Sequence, residues 1–255
     1  MKTLKYIILL FIIVFSFNAC VGVTYPKNEL AQSLEKLVKK DCDQDSKAYI
    51  VGKTLYLDME LDELMYEDDE VISRAIQKMQ SAGLAIKRVV LSSDSDIKYM
   101  VVTAYNSYKR TAFRIVQNID DVKDYFHMRI SRSDFETRTL LETEELSTAL
   151  DIIKDKHDIT NFEYVGRLIA SQLNIFLASD PGLRDLISRL SLRYADVESE
   201  TLILTIFNVN VIDSKNVSLI KNILQEQVRN YSEKYNISFK RIKVVTSNGE
   251  MVLSM

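Results

Sequence analysis

Short runs of alternating apolar and polar residues and longer stretches with helical spacing follow one another in the same order twice along the chain. In the first copy, the alternation over residues 53–57 predicts a half-buried strand. Helical spacing then predicts a helix from the acidic pair 68–69 to a position near Gly83. One face of this helix carries Val71, Ile72, Ala75, Ile76 and Met79. Two apolar runs, residues 86–91 and 98–105, flank a polar turn and predict a hairpin, which completes a βαββ order.

The second copy begins with a strand predicted over residues 200–207. The inward residues of the helix that follows are Val217, Ile220, Ile223, Leu224 and Val228. Residues 239–245 and 251–253 flank Asn248 and Gly249, and an Asn-Gly pair between apolar runs is typical of a hairpin turn. Residues 86–91 and 239–245 share an apolar-Lys-Arg-apolar pattern, so we expect two related modules.

Helical sequence precedes each module. The apolar face of the first lead-in helix consists of Leu30, Leu34, Leu37 and Val38. Before the second module, Thr160 and Glu163 have the spacing of a capping box at a helix start. The inward residues of that helix are Phe162, Val165, Leu168, Ile169, Leu173 and Phe176. Asp180 and Pro181 predict the start of one more helix.

The segment between the modules is mixed and highly charged, and it predicts helices near residues 120–128 and 144–154. The expected fold class is therefore α+β, with two related βαββ modules, lead-in helices and a helix-rich central segment. The expected divisions are a signal peptide at 1–19, a lipidated tether at 20–26, a first module at 27–106, a connecting segment at 107–158 and a second module at 159–255.

The first twenty residues have the pattern of an export signal. Lys2 and Lys5 precede an apolar run over residues 6–17. This run is about a dozen residues long, whereas a membrane-spanning helix needs about 20. Because positive charge is retained on the cytoplasmic side, the chain from Cys20 onward is expected to be extracytoplasmic.

The residues that end this signal are Phe17, Asn18, Ala19 and Cys20, and they resemble the lipobox of bacterial lipoproteins. Ala19 and Cys20 fit the motif, whereas Phe17 and Asn18 differ from the aliphatic and small residues that are usual there. The resemblance implies that Cys20 is acylated and becomes the new N-terminus. It also implies an outer-membrane location facing the periplasm in a cell with two membranes, because Val21 stands where an inner-membrane retention aspartate would be. An uncleaved membrane anchor and ordinary secretion are the alternatives.

Charge and composition exclude several function classes. The chain has 33 basic and 36 acidic residues, and residues 1–19 hold two lysines and no acid, so the exported part is more acidic still. A nucleic-acid partner is not expected, because such proteins usually present a basic face. The chain has only 6 glycines, and they are too far apart for a phosphate-binding loop or a nucleophile elbow. We therefore predict no nucleotide cofactor.

One stretch combines aromatic and basic residues and is the predicted binding surface, for a lipid headgroup, a glycan or another protein. It consists of Tyr105, Tyr108, Lys109, Arg110 and Arg114, with Phe113 between them. Asp41, Asp43 and Asp45 alternate like the first ligands of a calcium loop, but Gly52 stands where its bidentate glutamate belongs, so a solvated loop is predicted instead.

No catalytic residue is predicted. His127 and His157 lie in no metal-binding or catalytic motif, and no zinc-type cluster is present in the sequence. Cys42 is predicted to be a buried free cysteine, with a reactive thiol as the alternative. The functional hypothesis is a lipid-anchored envelope protein with a non-catalytic binding or assembly role and a protein partner. The alternatives are an envelope hydrolase that acts on glycan or peptide through carboxylates or a histidine, and a carrier of a lipid-like ligand.

Overall fold

The computed structural model describes residues 25–62, 69–108, 110–145, 156–179, 191–198, 201–207, 214–239, 241–246 and 249–254. Helices and two separate sheets make up these residues, so the predicted α+β class is confirmed. Within the described residues, no helix is long and apolar enough to span a membrane. The predicted signal segment, Cys20 and the helix expected after Asp180 lie outside the described residues.

The first half of the chain begins with a short 3-10 helix, Lys27–Glu29, and continues through alternating helices and strands. In chain order these are α1 (Leu30–Cys42), β1 (Ser46–Val51), β2 (Thr54–Glu60), α2 (Asp69–Leu91), β3 (Tyr99–Asn106), β4 (Thr111–Asn118), α3 (Ile119–Phe126), α4 (Arg132–Thr137) and β5 (Leu140–Glu145). The strands form one sheet in the order β1-β2-β3-β4-β5. β2 and β3 are parallel, with Thr54 opposite Tyr99, and the other neighbours are antiparallel.

The second half repeats the arrangement of α1 to β4. It consists of α5 (Asn161–Ser179), β6 (Ser191–Glu198), β7 (Thr201–Phe207), α6 (Ser214–Tyr235), β8 (Arg241–Thr246) and β9 (Gly249–Ser254). Its sheet has the order β6-β7-β8-β9, again with the two inner strands parallel and both outer pairs antiparallel. Both halves therefore have the order αββαββ. Each contains a βαββ unit and the predicted lead-in helix, with one additional strand, β1 or β6, but the hairpin of the first unit is β3–β4 and not the predicted pair 86–91 and 98–105.

Several predicted elements differ from the structure. Residues 86–91 are the last turns of α2 and not a strand, because Ile86 and Val89 pack into the core between α2 and the first sheet. Ile76 of the predicted inward face is exposed, as is Phe176 on α5. Glu144 belongs to strand β5 rather than to a helix.

The first predicted module boundary, between residues 106 and 107, falls inside the β3–β4 hairpin. β4 and β5, from the predicted connecting segment, complete the first sheet. The predicted helix near residues 120–128 is confirmed as α3.

Two hydrophobic cores lie on opposite faces of the first sheet. The first core lies on one face, where Leu55 and Leu57 of β2 pack with Leu34 of α1 and Ile86 of α2. The other core combines residues of the first sheet, α5, α6 and the second sheet, including Tyr56, Val101, Leu168, Leu224 and Ile242. Because side chains alternate between the faces of a strand, both faces of β2 are buried. The helices α5 and α6 therefore form a middle layer that joins the two sheets.

Side-chain caps fix where three helices begin. The Asn118 side chain accepts a hydrogen bond from the Asp120 amide at the start of α3, and Ser131 accepts one from Asp134 at α4. At α5, the Thr160 hydroxyl accepts from the Glu163 amide at 3.1 Å, which confirms the predicted helix start. Such caps satisfy amides that have no partner within the helix.

A buried carboxylate fastens α6 to the end of the first half. Asp121 of α3 is 5% exposed, and its side chain pairs with Arg138 at 2.6 Å. The Tyr235 hydroxyl of α6 donates to the other Asp121 oxygen, and Tyr231 donates to the Thr137 carbonyl at 3.1 Å. These bonds add directional contacts to the apolar middle layer.

Candidate functional site

A buried ion pair lies where β2 faces the middle layer. Asp58 on β2 and Lys156 place Oδ2 and Nζ 2.6 Å apart. Their side chains are 6% and 7% exposed. Charged side chains are almost never buried to this extent unless they are paired, and these two residues are far apart in the sequence. The pair is therefore assembled by the fold.

Aromatic rings and a hydroxyl surround this pair. The Lys156 ammonium lies 4.7 Å from the centre of the Tyr49 ring and 5.8 Å from that of Tyr56. Thr103 of β3 lies opposite Asp58 across the two parallel strands. Burial raises the pKa of Asp58 above its ordinary value, although Lys156 and Thr103 oppose the rise. The cation therefore stabilises a carboxylate that burial alone would tend to protonate.

Residues 156–160, here called the return segment, run back along β2 towards α5. The Tyr56 hydroxyl donates to the His157 carbonyl at 2.6 Å. Asp158 accepts from the Lys53 amide at 2.8 Å, and the Ile159 amide donates to the Thr54 hydroxyl at 2.9 Å. Each bond joins a residue of the return segment to the β1–β2 turn or to β2. The segment is thereby fixed in register along the strand.

A second group of charged side chains, linked by ion pairs, lies at the start of α5. Arg167 binds both carboxylate oxygens of Glu142 on β5, at 2.9 and 2.8 Å, and also binds Glu163 at 3.0 Å. The other oxygen of Glu163 lies 2.8 Å from His157 Nε2. A bidentate guanidinium pair of this kind is both strong and directional. These ion pairs connect β5, α5 and the return segment.

The charged groups of this arrangement pair mainly with one another. Arg167 bridges Glu142 and Glu163, while Lys156 neutralises Asp58. His157 is 55% exposed and, with Glu163, has the spacing of a histidine held by a carboxylate. Among the residues that the structure describes, no three His, Cys, Asp or Glu side chains are grouped to hold a metal ion.

The structure divides the predicted binding surface between two places. Tyr108 is 90% exposed and lies in the turn between β3 and β4, where Arg110 is also exposed. Arg114 lies on β4 opposite Thr103, and its positive charge acts on Asp58. Tyr105 is half-buried on β3. Phe113 packs against the core beneath α1 and α2, and Lys109 lies outside the described residues.

The aspartates of the predicted solvated loop take part in ion pairs. Asp43 and Asp45 each lie 3.2 Å from Lys39 Nζ, and Asp41 lies 3.4 Å from Arg88. These are contacts of a solvated surface and agree with the sequence interpretation.

The free thiol and the second histidine lie apart from the ion pair. Cys42 is partly buried against the first core, and burial raises the pKa of its thiol. A raised pKa reduces the thiolate fraction and therefore the reactivity. His127 is exposed at the end of α3.

Sequence reasoning missed the pairing of Asp58 with Lys156. Asp58 is not among the predicted site residues, and its neighbours in the sequence give no hint of a cation. One signal was available: β2 has apolar residues on both faces, as buried parallel strands do. An acidic residue inside such a strand needs a partner.

Comparison of the chain with protein families, curated proteins and solved structures finds no match.

Proposed function

We propose that this protein is a lipid-anchored, extracytoplasmic protein that binds a protein partner of the cell envelope and does not catalyse a reaction. The lipobox-like residues that end at Cys20 support the anchor. The exposed Tyr108 side chain, at the tip of the β3–β4 hairpin, carries the argument for the binding role. Aromatic and arginine side chains dominate the binding energy of many protein interfaces. Tyr108 and Arg110 bring both types to one tip.

The position of this tip relative to the anchor supports the same role. Tyr25, five residues after Cys20, pairs with Ser93 just ahead of β3. The hairpin tip lies at the opposite end of that strand. Eight residues of strand extend about 25 Å. A partner bound at the tip would therefore lie about one strand length from the point where the tether joins the fold.

The alternative of an envelope hydrolase has one supporting observation, the contact of His157 with Glu163. The same carboxylate also binds Arg167, which lowers its capacity to strengthen a histidine base. Turnover of a cell-wall fragment by the pure protein, lost on His157→Gln, would replace the binding proposal with this alternative.

Replacement of Cys20 tests the anchor. We expect Cys20→Ala to abolish incorporation of radiolabelled fatty acid and to leave a longer precursor, because the acyl acceptor and processing site are lost together. Cys42→Ser is the matched control, since it removes the other cysteine of the chain and should leave labelling unchanged. Unchanged labelling of Cys20→Ala in cells would refute the lipoprotein proposal.

Photo-crosslinking at the hairpin tip tests the binding role. With Tyr108 replaced by p-benzoylphenylalanine, we expect a discrete adduct with one protein in intact cells, at least about tenfold stronger than at a position outside the interface. Met128 is the control because its exposure, 91%, matches the 90% of Tyr108. Equal adduct patterns at the two positions, or none at either, would count against a binding surface at the tip.

A further inference from the structure

The solvent-facing side of α2 carries three exposed apolar side chains. Ile76, Leu84 and Leu91 are 49%, 60% and 38% exposed. At about 100° per residue, these three positions fall within an arc of about 80° on the helix. Gln80 and Lys87 fall on the same arc between them, so this face, here called the α2 strip, alternates apolar and polar side chains. Single exposed apolar residues are ordinary, but their combination with basic side chains on one helix face is typical of a helix at a bilayer surface.

Positive charge accompanies this strip. From Val71 to Leu91 the helix carries two arginines and two lysines and no acidic residue, although the whole chain has a net charge of −3. The neighbouring helix α1 adds exposed Lys36 and Lys40. The acidic residues of α2 are its first two, Asp69 and Glu70, and a face that combines apolar and basic side chains is the pattern of a helix that lies on an anionic bilayer surface.

Two basic residues of α2 reach towards the neighbouring helices. Arg88 contacts Asp41 of α1, and the Lys87 ammonium lies 5.2 Å from the ring of Phe135 on α4. Arg88 thus lies at one edge of the α2 strip, and Lys87 lies within its arc. Phe126, next to Tyr125, which stacks on Phe135, is also exposed.

The chain also places this face beside the anchor. Leu91 is two residues before Ser93, which pairs with Tyr25. Five peptide units join Cys20 to Tyr25, and at about 3.5 Å each they reach about 17 Å. From Ile76 to Leu91 the helix is about 22 Å long. A chain held at Cys20 can therefore lay the whole α2 strip on the same membrane.

We infer that the α2 strip rests on the anionic surface of the bilayer to which the protein is anchored. This inference builds on the proposed anchor at Cys20. Contact along α2 would fix the orientation of the first sheet and leave the β3–β4 tip accessible. The occupant is lipid rather than protein because the strip carries basic residues and no acid, and because the adjoining tether confines it near the membrane.

The chain contains no tryptophan, so a single introduced tryptophan reports its own surroundings. The full acylated protein with Leu84→Trp would be reconstituted into phosphatidylglycerol vesicles with or without brominated acyl chains. We expect brominated lipid to reduce its emission to about half, because the side chain reaches the acyl boundary. Zwitterionic phosphatidylcholine vesicles should give weaker quenching.

Ile175→Trp on α5 is the matched control, because Ile175 is 56% exposed and Leu84 is 60% exposed. Its emission should not change with bromination. Vesicle co-sedimentation of both variants reports the anchor separately. If both co-sediment and their emission responds equally, the α2 contact is refuted and the anchor stands. If neither co-sediments, both proposals are refuted. A blue shift of Leu84→Trp that rises with protein concentration, without quenching, would assign the strip to a second copy and overturn the lipid contact.

Discussion

Replacing Lys156 with methionine is expected to lower the free energy of unfolding by about 3–5 kcal/mol. Methionine keeps much of the volume of the side chain but leaves the Asp58 carboxylate buried without its cation. Breaking a buried pair is costly for this reason, since the remaining charge cannot regain water. Chemical denaturation of the purified protein, followed by circular dichroism, measures the change.

Two further variants separate the charge effect from the loss of packing. Adding Asp58→Asn to Lys156→Met should recover most of the lost stability, because a neutral amide has less need of a cation. Lys123→Met is the surface control. Its pair with Asp120 is exposed, with 48% and 77% of the side chains accessible, and it should change stability by no more than about 0.5 kcal/mol. Equal losses for Lys156→Met and Lys123→Met would contradict a structural role for the buried pair.

The stability deficit of Lys156→Met should change with pH in a definite direction. Burial raises the pKa of Asp58 in the folded protein above its ordinary value of 3.8, and loss of Lys156 should raise it further. A carboxyl group with a raised folded-state pKa destabilises the fold at neutral pH and loses that penalty as the pH falls through the folded pKa. The deficit of Lys156→Met relative to the unsubstituted protein should therefore shrink between about pH 7 and about pH 4.

The sequence correctly predicts the helices and strands that have strong periodicity. It does not predict the elements whose secondary structure depends on tertiary contacts. Leu30, Leu34 and Val38 of α1 are fully buried, as their spacing predicts. Residues 86–91 have the composition of a strand, yet they continue α2 because Ile86 and Val89 pack against the first core. Gly83 does not end the helix, since no carbonyl-capping turn follows it. Local composition could not show that packing favours the longer helix.

β1 has no clear alternation in the sequence, because its two faces meet different cores. Tyr49 and Val51 pack with the middle layer, while Ala48 and Ile50 pack beneath α1 and α2. With both faces half-buried, the strand lacks the apolar-polar pattern that marks a strand with one solvated face. Recognising it required the pairing with β2.

The candidate site could not be predicted from the sequence, for a different reason. Its charged groups come from β2, β5, α5 and the return segment, and only the fold brings them together. Sequence reasoning nominated Arg114 for an exposed surface, whereas the register places it opposite Thr103 beside the buried carboxylate. A residue on a strand can face the core or the solvent, and one position of register decides which.

Gly52→Ala should destabilise the protein by about 3 kcal/mol or more, for two additive reasons. The glycine has a φ of 58°, in the left-handed region that L side chains rarely adopt. A Cβ atom there would also lie 2.2 Å from Asp158 Cγ. The return segment would have to move, and the hydrogen bonds of Asp158 with Lys53 and Thr54 would be lost. Denaturant unfolding measures the loss.

Gly83→Ala is the contrasting control, because it makes the same chemical change inside α2. A Cβ atom at Gly83 meets nothing within 4 Å, so alanine should stabilise the helix by about 0.5–1 kcal/mol. The two substitutions should therefore have opposite signs. Adding Asp158→Gly to Gly52→Ala removes the whole side chain, including the Asp158 Cβ atom at 2.7 Å, and should leave only the backbone cost of about 1–2 kcal/mol relative to Asp158→Gly alone. A Gly52→Ala protein as stable as the unsubstituted chain would show that the return segment does not lie against the β1–β2 turn.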